Sequence, residues 1–301
     1  MYDLIIIGGG PAGLTAAVYA IRKRLNVLLV SRDLGGKTNY RLALPWIEDY
    51  QVIRGLELVN KFRQELEYLD FARTMDSVVK VEKCDSHFVV TTKSGAELES
   101  NAVILATGVQ QVRLEVPGEK DYIMKGLCYS ALSYAPLFID KTAIVIGNQE
   151  LALRSAGELA TVAKQVILIC EGDKPFDTPL SRKLSQTSNV TVLKNTHVVE
   201  IKGDDYARTL VVQDAQGKQS EFNADGMFVE RGLNANAAML GDLAASDEQG
   251  RIIVDGACRT SVPGLFAAGD VTNSYAEQVL VAVGEGAKAA LSAYDYLLPM
   301  L

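Results

Sequence analysis

What the chain has little of sets its first limits. Histidine occurs twice, as His87 and His197, and neither lies in a glycine-rich turn, so no histidine general base is expected. Tryptophan occurs once, as Trp46. The four cysteines, Cys84, Cys128, Cys170 and Cys258, stand far apart with no Cys-x-x-Cys among them. That spacing excludes a disulfide scaffold and a metal site of cysteines alike, so no metal is expected. Basic residues are outnumbered, 30 against 37 acidic ones, and the net charge of −7 argues against nucleic acid or an anionic membrane as a partner. No apolar run reaches the ~20 residues of a membrane helix. The first residues carry neither a basic leader nor a cleavage signal, from which a cytoplasmic protein is expected.

What is present is the make-up of a folded enzyme, with 48% hydrophobic and 22% charged residues. The 301 residues are enough for about two domains, each with its own core. The most informative stretch is residues 1–17, MYDLIIIGGGPAGLTAA. Residues 4–7 are an apolar run that predicts a buried parallel strand, and a helix is predicted to follow through Arg24. Between them stands Gly8-x-Gly10-x-x-Gly13, with Pro11 and Ala12 inside it. Gly8 permits a tight turn, Gly10 lets a pyrophosphate approach the backbone, and Gly13 lets helix and strand pack closely. Phosphates belong at such a helix N-terminus, where unpaired N–H groups and the helix dipole attract anions.

The rest of the chain follows in order. Residues 26–30 predict a second strand, but Ser31-Arg32-Asp33 stands where an acid for ribose is expected, and a glycine turn, Leu34-Gly35-Gly36-Lys37-Thr38, comes next. Residues 55–69 have helical apolar spacing. Residues 77–81, 88–92 and 97–98 predict a small antiparallel meander that includes Val78. Residues 102–108, AVILATG, predict a separate buried strand ending in Ala106-Thr107-Gly108. A second strand–helix–strand unit is predicted at 142–146, 151–162 and 165–170.

These motifs resemble those of the low-molecular-weight thioredoxin reductase family of flavoproteins. The likeness rests on GGGPAG at the start, LGGK in place of the family's GGQ, and ILATG mid-chain. Residues 260–271, TSVPGLFAAGDV, and Gln278-x-x-x-Ala282-x-Gly284-x-Gly286 carry it further. It implies an α/β fold of two dinucleotide-binding domains, Rossmann-like and three-layered ββα, the second inserted into the first. An FAD domain is expected at 1–114 with 236–301, and a degenerate nucleotide domain at 115–235, with linkers at Pro117-Gly118 and residues 232–234. The resemblance places FAD against Gly8, Gly10, Pro11, Ala12, Gly13, Gly36, Lys37, Thr38, Trp46, Val78, Ala106, Thr107, Gly108, Gly269, Asp270, Gln278 and Val279. Asp270 would bind the ribityl chain, and the helix from Gln278 would aim its N-terminus at the flavin's pyrimidine end. Trp46 has two open readings, flavin stacking and plain core. Lys37 would put a charge near flavin or phosphate. A homodimer is implied through the FAD domains, with Leu14, Val18 and Ile21 serving either the core or that interface.

The departures from the family carry as much information. The family's redox Cys-x-x-Cys falls on Ser130 and Ser133, and a hydroxyl forms neither a disulfide nor a thiolate adduct. Cys128 reads as a small buried apolar residue, and Tyr129 and Tyr134 as fillers of the vacated volume. The family's GGGxSA becomes Gly147-Asn148-Gln149-Glu150-Leu151-Ala152, and its HRR becomes Cys170-Glu171-Gly172. Lost arginines and an added carboxylate disfavour the 2′-phosphate of NADPH, so NADPH is not expected unless Lys174 or Arg182 rebuilds the clamp. A carboxylate at Glu171 suits ribose hydroxyls. Two readings stand for this site: an emptied relic, or a site at Gly147, Asn148, Gln149, Glu150 and Glu171 for NAD or a second FAD; the second FAD is the favoured one, because Glu171 and the lost arginines resemble the family's two-flavin disulfide oxidoreductase-like branch. The expected function is a FAD-dependent oxidoreductase without NADPH or a dithiol, fed by a small redox protein, by NADH or by a second flavin. The alternatives are a ferredoxin/NAD(P)H reductase-type flavoenzyme and a non-catalytic flavin-binding sensor or scaffold.

Overall fold

A computed structural model describes residues 1–47, 55–172 and 178–301. The chain opens with β1 (Tyr2–Ile7), in which residues 4–7 are at most 2% exposed. Cover on both faces is what makes a continuous apolar run a parallel strand. Helix α1 (Pro11–Arg22) starts on a proline, whose missing N–H is no loss at a first helical position. Next come β2 (Val27–Ser31), α2 (Leu56–Tyr68), β3 (Arg73–Met75), β4 (Val78–Cys84), β5 (His87–Thr92) and β6 (Glu97–Leu105). His87 opens β5.

One element differs from expectation here. Residues 97–98 and 102–105 belong to a single strand, β6, rather than to a meander and a separate strand. Its start pairs antiparallel with β5, Thr91 opposite Glu97, and its end pairs parallel with β1, Ile7 opposite Leu105. Residues 99–101 hold no glycine or proline to break the run. Buried Ser100 satisfies its hydroxyl locally by donating to the Ala102 carbonyl at 2.9 Å.

The chain then passes through β7 (Val109–Gln111) into α3 (Glu119–Tyr122), β8 (Leu127–Cys128), α4 (Ala131–Tyr134), β9 (Thr142–Ile146), α5 (Glu150–Ala160), β10 (Gln165–Ile169), α6 (Pro179–Gln186) and β11 (Val190–Leu193). An antiparallel sheet follows, β12 (His197–Gly203), β13 (Ala207–Gln213) and β14 (Gln219–Asn223), and then β15 (Gly226–Val229). His197 is exposed at the start of β12. The return runs through β16 (Leu233–Ala235), which pairs with β7, to β17 (Leu265–Ala267) and α7 (Val279–Leu297).

Two compact units result. One holds Met1–Asn39, Ile53–Gln110 and Asn234–Leu301, and the other Tyr40–Val52 and Gln111–Leu233. Pro117-Gly118 therefore lies inside the second unit, where a Cβ on Gly118 would stand 2.0 Å from the Ile201 carbonyl. The described part of 40–52 also belongs there, although the sequence places it in the FAD domain. Leu42 and Leu44 are buried in the same cluster as Phe138 and Val145, and Ala43 N–H donates to the Met124 carbonyl at 2.7 Å.

The first unit's sheet runs β3-β2-β1-β6, all parallel, with β17 also parallel on β6 and β5-β4 continuing antiparallel. The second unit's sheet is β11-β10-β9-β15-β8, parallel throughout. Leu14 and Val18 are buried in the core against α7 and the sheet, and Ile21 packs on that core, so this stripe serves the core. Among the described residues no helix is long and apolar enough to cross a membrane.

Trp46 is part of the second unit's core. Its ring meets Phe138 edge-on at 5.5 Å, its indole N–H donates to the Leu137 carbonyl at 3.2 Å, and the Lys141 ammonium lies 4.8 Å from the ring centre. Phe138 in turn meets Phe228 at 5.0 Å and is fully buried. Phe138→Ala is expected to destabilise the second unit by about 3–5 kcal/mol. Tyr68→Ala, at a position 89% exposed, is expected to cost under about 0.5 kcal/mol. Urea unfolding of both variants checks the contrast, and equal costs would remove the special place given to the Trp46–Phe138–Phe228 cluster.

Candidate functional site

In the first unit the glycine positions divide by role as the motif requires. Gly8 sits at φ +111°, and a Cβ there would stand 2.3 Å from the Ala106 carbonyl oxygen. A Cβ on Gly13 would stand 1.8 Å from the Gly8 oxygen, so helix, turn and strand touch backbone to backbone. At Gly10 nothing lies within 4 Å of an added Cβ. Gly10 is the N-cap of α1, with no side chain capping it and no acid in the first turn. Open space, bare N–H groups and absent negative charge are the conditions for a pyrophosphate. These residues fit FAD.

The other expected residues gather around this turn. A Cβ on Gly36 would lie 3.1 Å from the Gly10 Cα, and one on Gly269 would lie 3.0 Å from the Ala12 Cβ. Ala106 N–H donates to the Ile7 carbonyl at 2.8 Å. Thr107 donates its hydroxyl to the Asn236 carbonyl at 2.6 Å, and Asn236 N–H donates to the Gly108 carbonyl at 3.0 Å. Buried Thr38 closes its own turn on the Gly35 carbonyl at 2.7 Å. Val78 is half-buried at the start of β4. Gln278 is the N-cap of α7, Val279 its first residue, and no acid stands in its first turn. Asp33, the nearest acid after β2, accepts from Gly36 N–H at 2.9 Å and so serves its own loop.

Two charges expected to make separate contacts are joined. Lys37 Nζ lies 2.6 Å from Asp270 Oδ2. A third, Glu285, is not apparent from the sequence motifs: it accepts from Gly269 N–H at 2.8 Å and from the Ser274 hydroxyl at 2.6 Å. It thereby ties α7 to the turn that presents Asp270. The signal available was an acid set between Gly284 and Gly286 in a motif otherwise free of charge.

In the second unit Ser130 Oγ and Ser133 Oγ lie 2.9 Å apart, hydrogen-bonded to each other. Beside them Glu230, 3% exposed, accepts from Ala131 N–H at 2.8 Å and the Ser155 hydroxyl at 2.9 Å. Tyr129 donates to buried Glu119 at 2.8 Å, and burial with this bond raises its phenol above the usual range. Tyr134 is buried in the same core cluster as Cys128. Burial pushes the Cys128 thiol up to about 12 and Cys258 up to about 11, and it raises Cys170 as well. Only Cys84 of the four is exposed.

The second glycine turn keeps its backbone and changes its side chains. A Cβ on Gly147 would stand 2.2 Å from the Glu230 carbonyl oxygen and 3.0 Å from Ala152. Gln149 caps α5, and Glu150 at the first helical position binds Arg154 at 2.7 Å. Glu171, expected to face ribose, is paired with Arg231, Nε to Oε2 at 3.0 Å. Arg231 also donates from Nη1 to the Arg113 carbonyl at 2.9 Å. Sequence reasoning misses Arg231, whose only signal is a charge after the apolar run 226–229. Lys174 lies outside the described residues, and Arg182 is on α6.

Two outcomes follow. Gly10→Val should fold, because its side chain meets nothing, yet lose FAD; a fully yellow purified variant would remove the pyrophosphate from this turn. Iodoacetamide at about pH 8 should label one thiol per folded chain, Cys84, because the other three are buried and held as thiols. Rapid labelling of Cys128, read by peptide mass, would contradict its burial.

The chain matches the family described as pyridine nucleotide-disulphide oxidoreductase over residues 2–286. Thioredoxin reductase from Streptococcus pyogenes MGAS5005 superposes with a TM-score of 0.88 at 33% identity, covering 99% of each chain. Thioredoxin reductase from Giardia duodenalis gives 0.87 at 27% identity, again over 99% of each chain. An alkyl hydroperoxide reductase component of Staphylococcus aureus (strain NCTC 8325 / PS 47) is 35% identical over 300 residues, 99% of this chain and 59% of that protein. The chain thus spans about three-fifths of the length of the curated relatives it matches. With a dinucleotide-type glycine turn and two Rossmann-like units already in place, the chain belongs to the pyridine nucleotide-disulphide oxidoreductase family and shares the thioredoxin reductase fold.

Proposed function

We propose that this flavoenzyme passes electrons through FAD without a dithiol and without NADPH. The observation that carries the reading is the Ser130–Ser133 pair, two hydroxyls 2.9 Å apart where a redox disulfide would stand. The paired Glu171 and the loss of arginines beside it support the second half. The FAD contacts are those expected from the sequence, less Trp46, which the second unit's core employs. In this reading the Gly8–Gly13 turn and the N-terminus of α1 hold the pyrophosphate, Asp270 holds the ribityl chain, and the N-terminus of α7 favours negative charge on the reduced ring. FAD, once bound, supplies two-electron chemistry; the protein positions it and excludes the family's thiol relay. Lys37 pairs with Asp270 and orients it.

Electrons then enter from a reduced redox protein or from NADH acting at the flavin, and they leave to an acceptor protein. The relatives' names, thioredoxin reductase and alkyl hydroperoxide reductase, agree with a reductase. A cytoplasmic homodimer is part of the same reading, and sedimentation at micromolar concentration tests the dimer. The Glu171–Arg231 pair favours one flavin per chain over the second FAD, or bound NAD, that Glu171 alone suggested.

Anaerobic NADPH should leave the flavin band oxidised for minutes, and rapid bleaching would refute the proposal. Ser130→Cys combined with Ser133→Cys should create a pair of thiols that titrate only after reduction. If those two thiols titrate freely in the oxidised variant, the serines do not stand in for a disulfide. Turnover with an artificial acceptor separates this reading from that of a scaffold.

A further inference from the structure

The C-terminal edge of the second unit's sheet is crossed by an ion pair at the level where a dinucleotide's phosphates would lie. β9 stands between β10 and β15, and Ile146 pairs with both Ile169 and Val229. Glu171, Asn148 and Arg231 are each two residues beyond those partners, just past the ends of the three strands. Two strand spacings of about 4.8 Å separate β10 from β15. The Glu171 and Arg231 side chains close that span at 3.0 Å, over the Gly147–Gln149 turn.

Other described residues at this edge point the same way. Asn148 Nδ2 lies 3.8 Å from where a Gly172 Cβ would be, and Gln149 Oε1 lies 3.5 Å from where a Gly232 Cβ would be. The two amides thus lean toward opposite neighbouring segments. Glu150 puts an acid in the first turn of α5, where α1 has none. A carboxylate there stabilises the helix and, paired with Arg154, offers a phosphate no attraction. With Glu171 18% and Arg231 32% exposed, the pair is partly withdrawn from water. As arranged, these residues do not fit a dinucleotide.

We propose that Glu171 and Arg231 form a clasp that keeps the second unit's nucleotide site shut. The inference rests on the reading that this turn descends from a dinucleotide site. It also names what each half would do alone. A freed Glu171 accepts hydrogen bonds from ribose hydroxyls and repels a 2′-phosphate. A freed Arg231 attracts phosphate, the 2′-phosphate included.

The test uses the FAD-loaded full chain, with NAD+ and NADP+ as probes in equilibrium dialysis. Native protein should bind neither well. Arg231→Gln should gain NAD+ by about ten- to a hundredfold and gain no NADP+. Glu171→Gln should gain NADP+ at least as much as NAD+. Opposite selectivity in the two variants supports the clasp, and flavin content shows that each is folded. The proposal fails if native protein already binds NAD+ as tightly as Arg231→Gln. It fails equally if both folded variants stay as weak as native, or if both share one preference. Bleaching of native flavin by NADPH, measured apart, bears on the proposed function and leaves the selectivity of the variants to judge the clasp.

Discussion

The first unit depends on one close approach, that of helix α1 to the turn it leaves. Gly13 lies so near the Gly8 carbonyl that any side chain would clash, and a Cβ on Gly286 of α7 would stand 2.1 Å from the Ala12 carbonyl. α1 is therefore held by backbone on two sides. That fixes where its N-terminus points, with no side chain between it and the open space at Gly10. The same contact brings α7 down on α1, so that Glu285 can reach the Gly269 N–H and set the turn bearing Asp270. A cofactor site made of N–H groups needs this rigidity, because a dipole is effective only within the first turn and only when aimed.

The second unit reuses the approach and reverses its electrostatics. Gly147 meets the Glu230 carbonyl as Gly8 meets that of Ala106, and Ala152 keeps the helix contact. Shared backbone geometry says little about what the turn holds, however. Charge decides that: no acid at the start of α1, against Glu150 at the start of α5 and the Glu171–Arg231 pair above it. On the proposed reading, two turns of one shape in one chain are suited to opposite states, one open to an anion and one shut.

The serine pair is a satisfied local arrangement. Ser130 and Ser133 bond each other, and Glu230 is held by the Ala131 N–H and the Ser155 hydroxyl. A buried carboxylate is tolerated only with such donors, since desolvation otherwise costs several kcal/mol. On the proposed reading, thiol chemistry is absent from this segment while its polar order is retained. Chemistry at the flavin then has no thiol relay within the second unit, which is why the identity of donor and acceptor rests with partner molecules.

Much of this was legible in residue order. The buried strand at 4–7, the glycine turn after it and the two strand–helix–strand units follow from local pattern, because apolar runs and glycine spacing act through near neighbours, whereas the insertion of the second unit and the place of the serines at 130 and 133 come from the family resemblance. Three features needed the folded chain. Residues 97–105 form one strand because a single segment can pair antiparallel on one side and parallel on the other, which no periodicity reports. Trp46 belongs to Phe138, 92 positions away, because the described part of 40–52 packs with the second unit. Glu171 meets Arg231, and Lys37 meets Asp270, through strand order rather than spacing. Sequence determined which charges exist and which turns can admit a phosphate. Only tertiary structure decided which charges neutralise one another, because partners 60 or 233 residues apart are joined by the topology of a sheet and by nothing local.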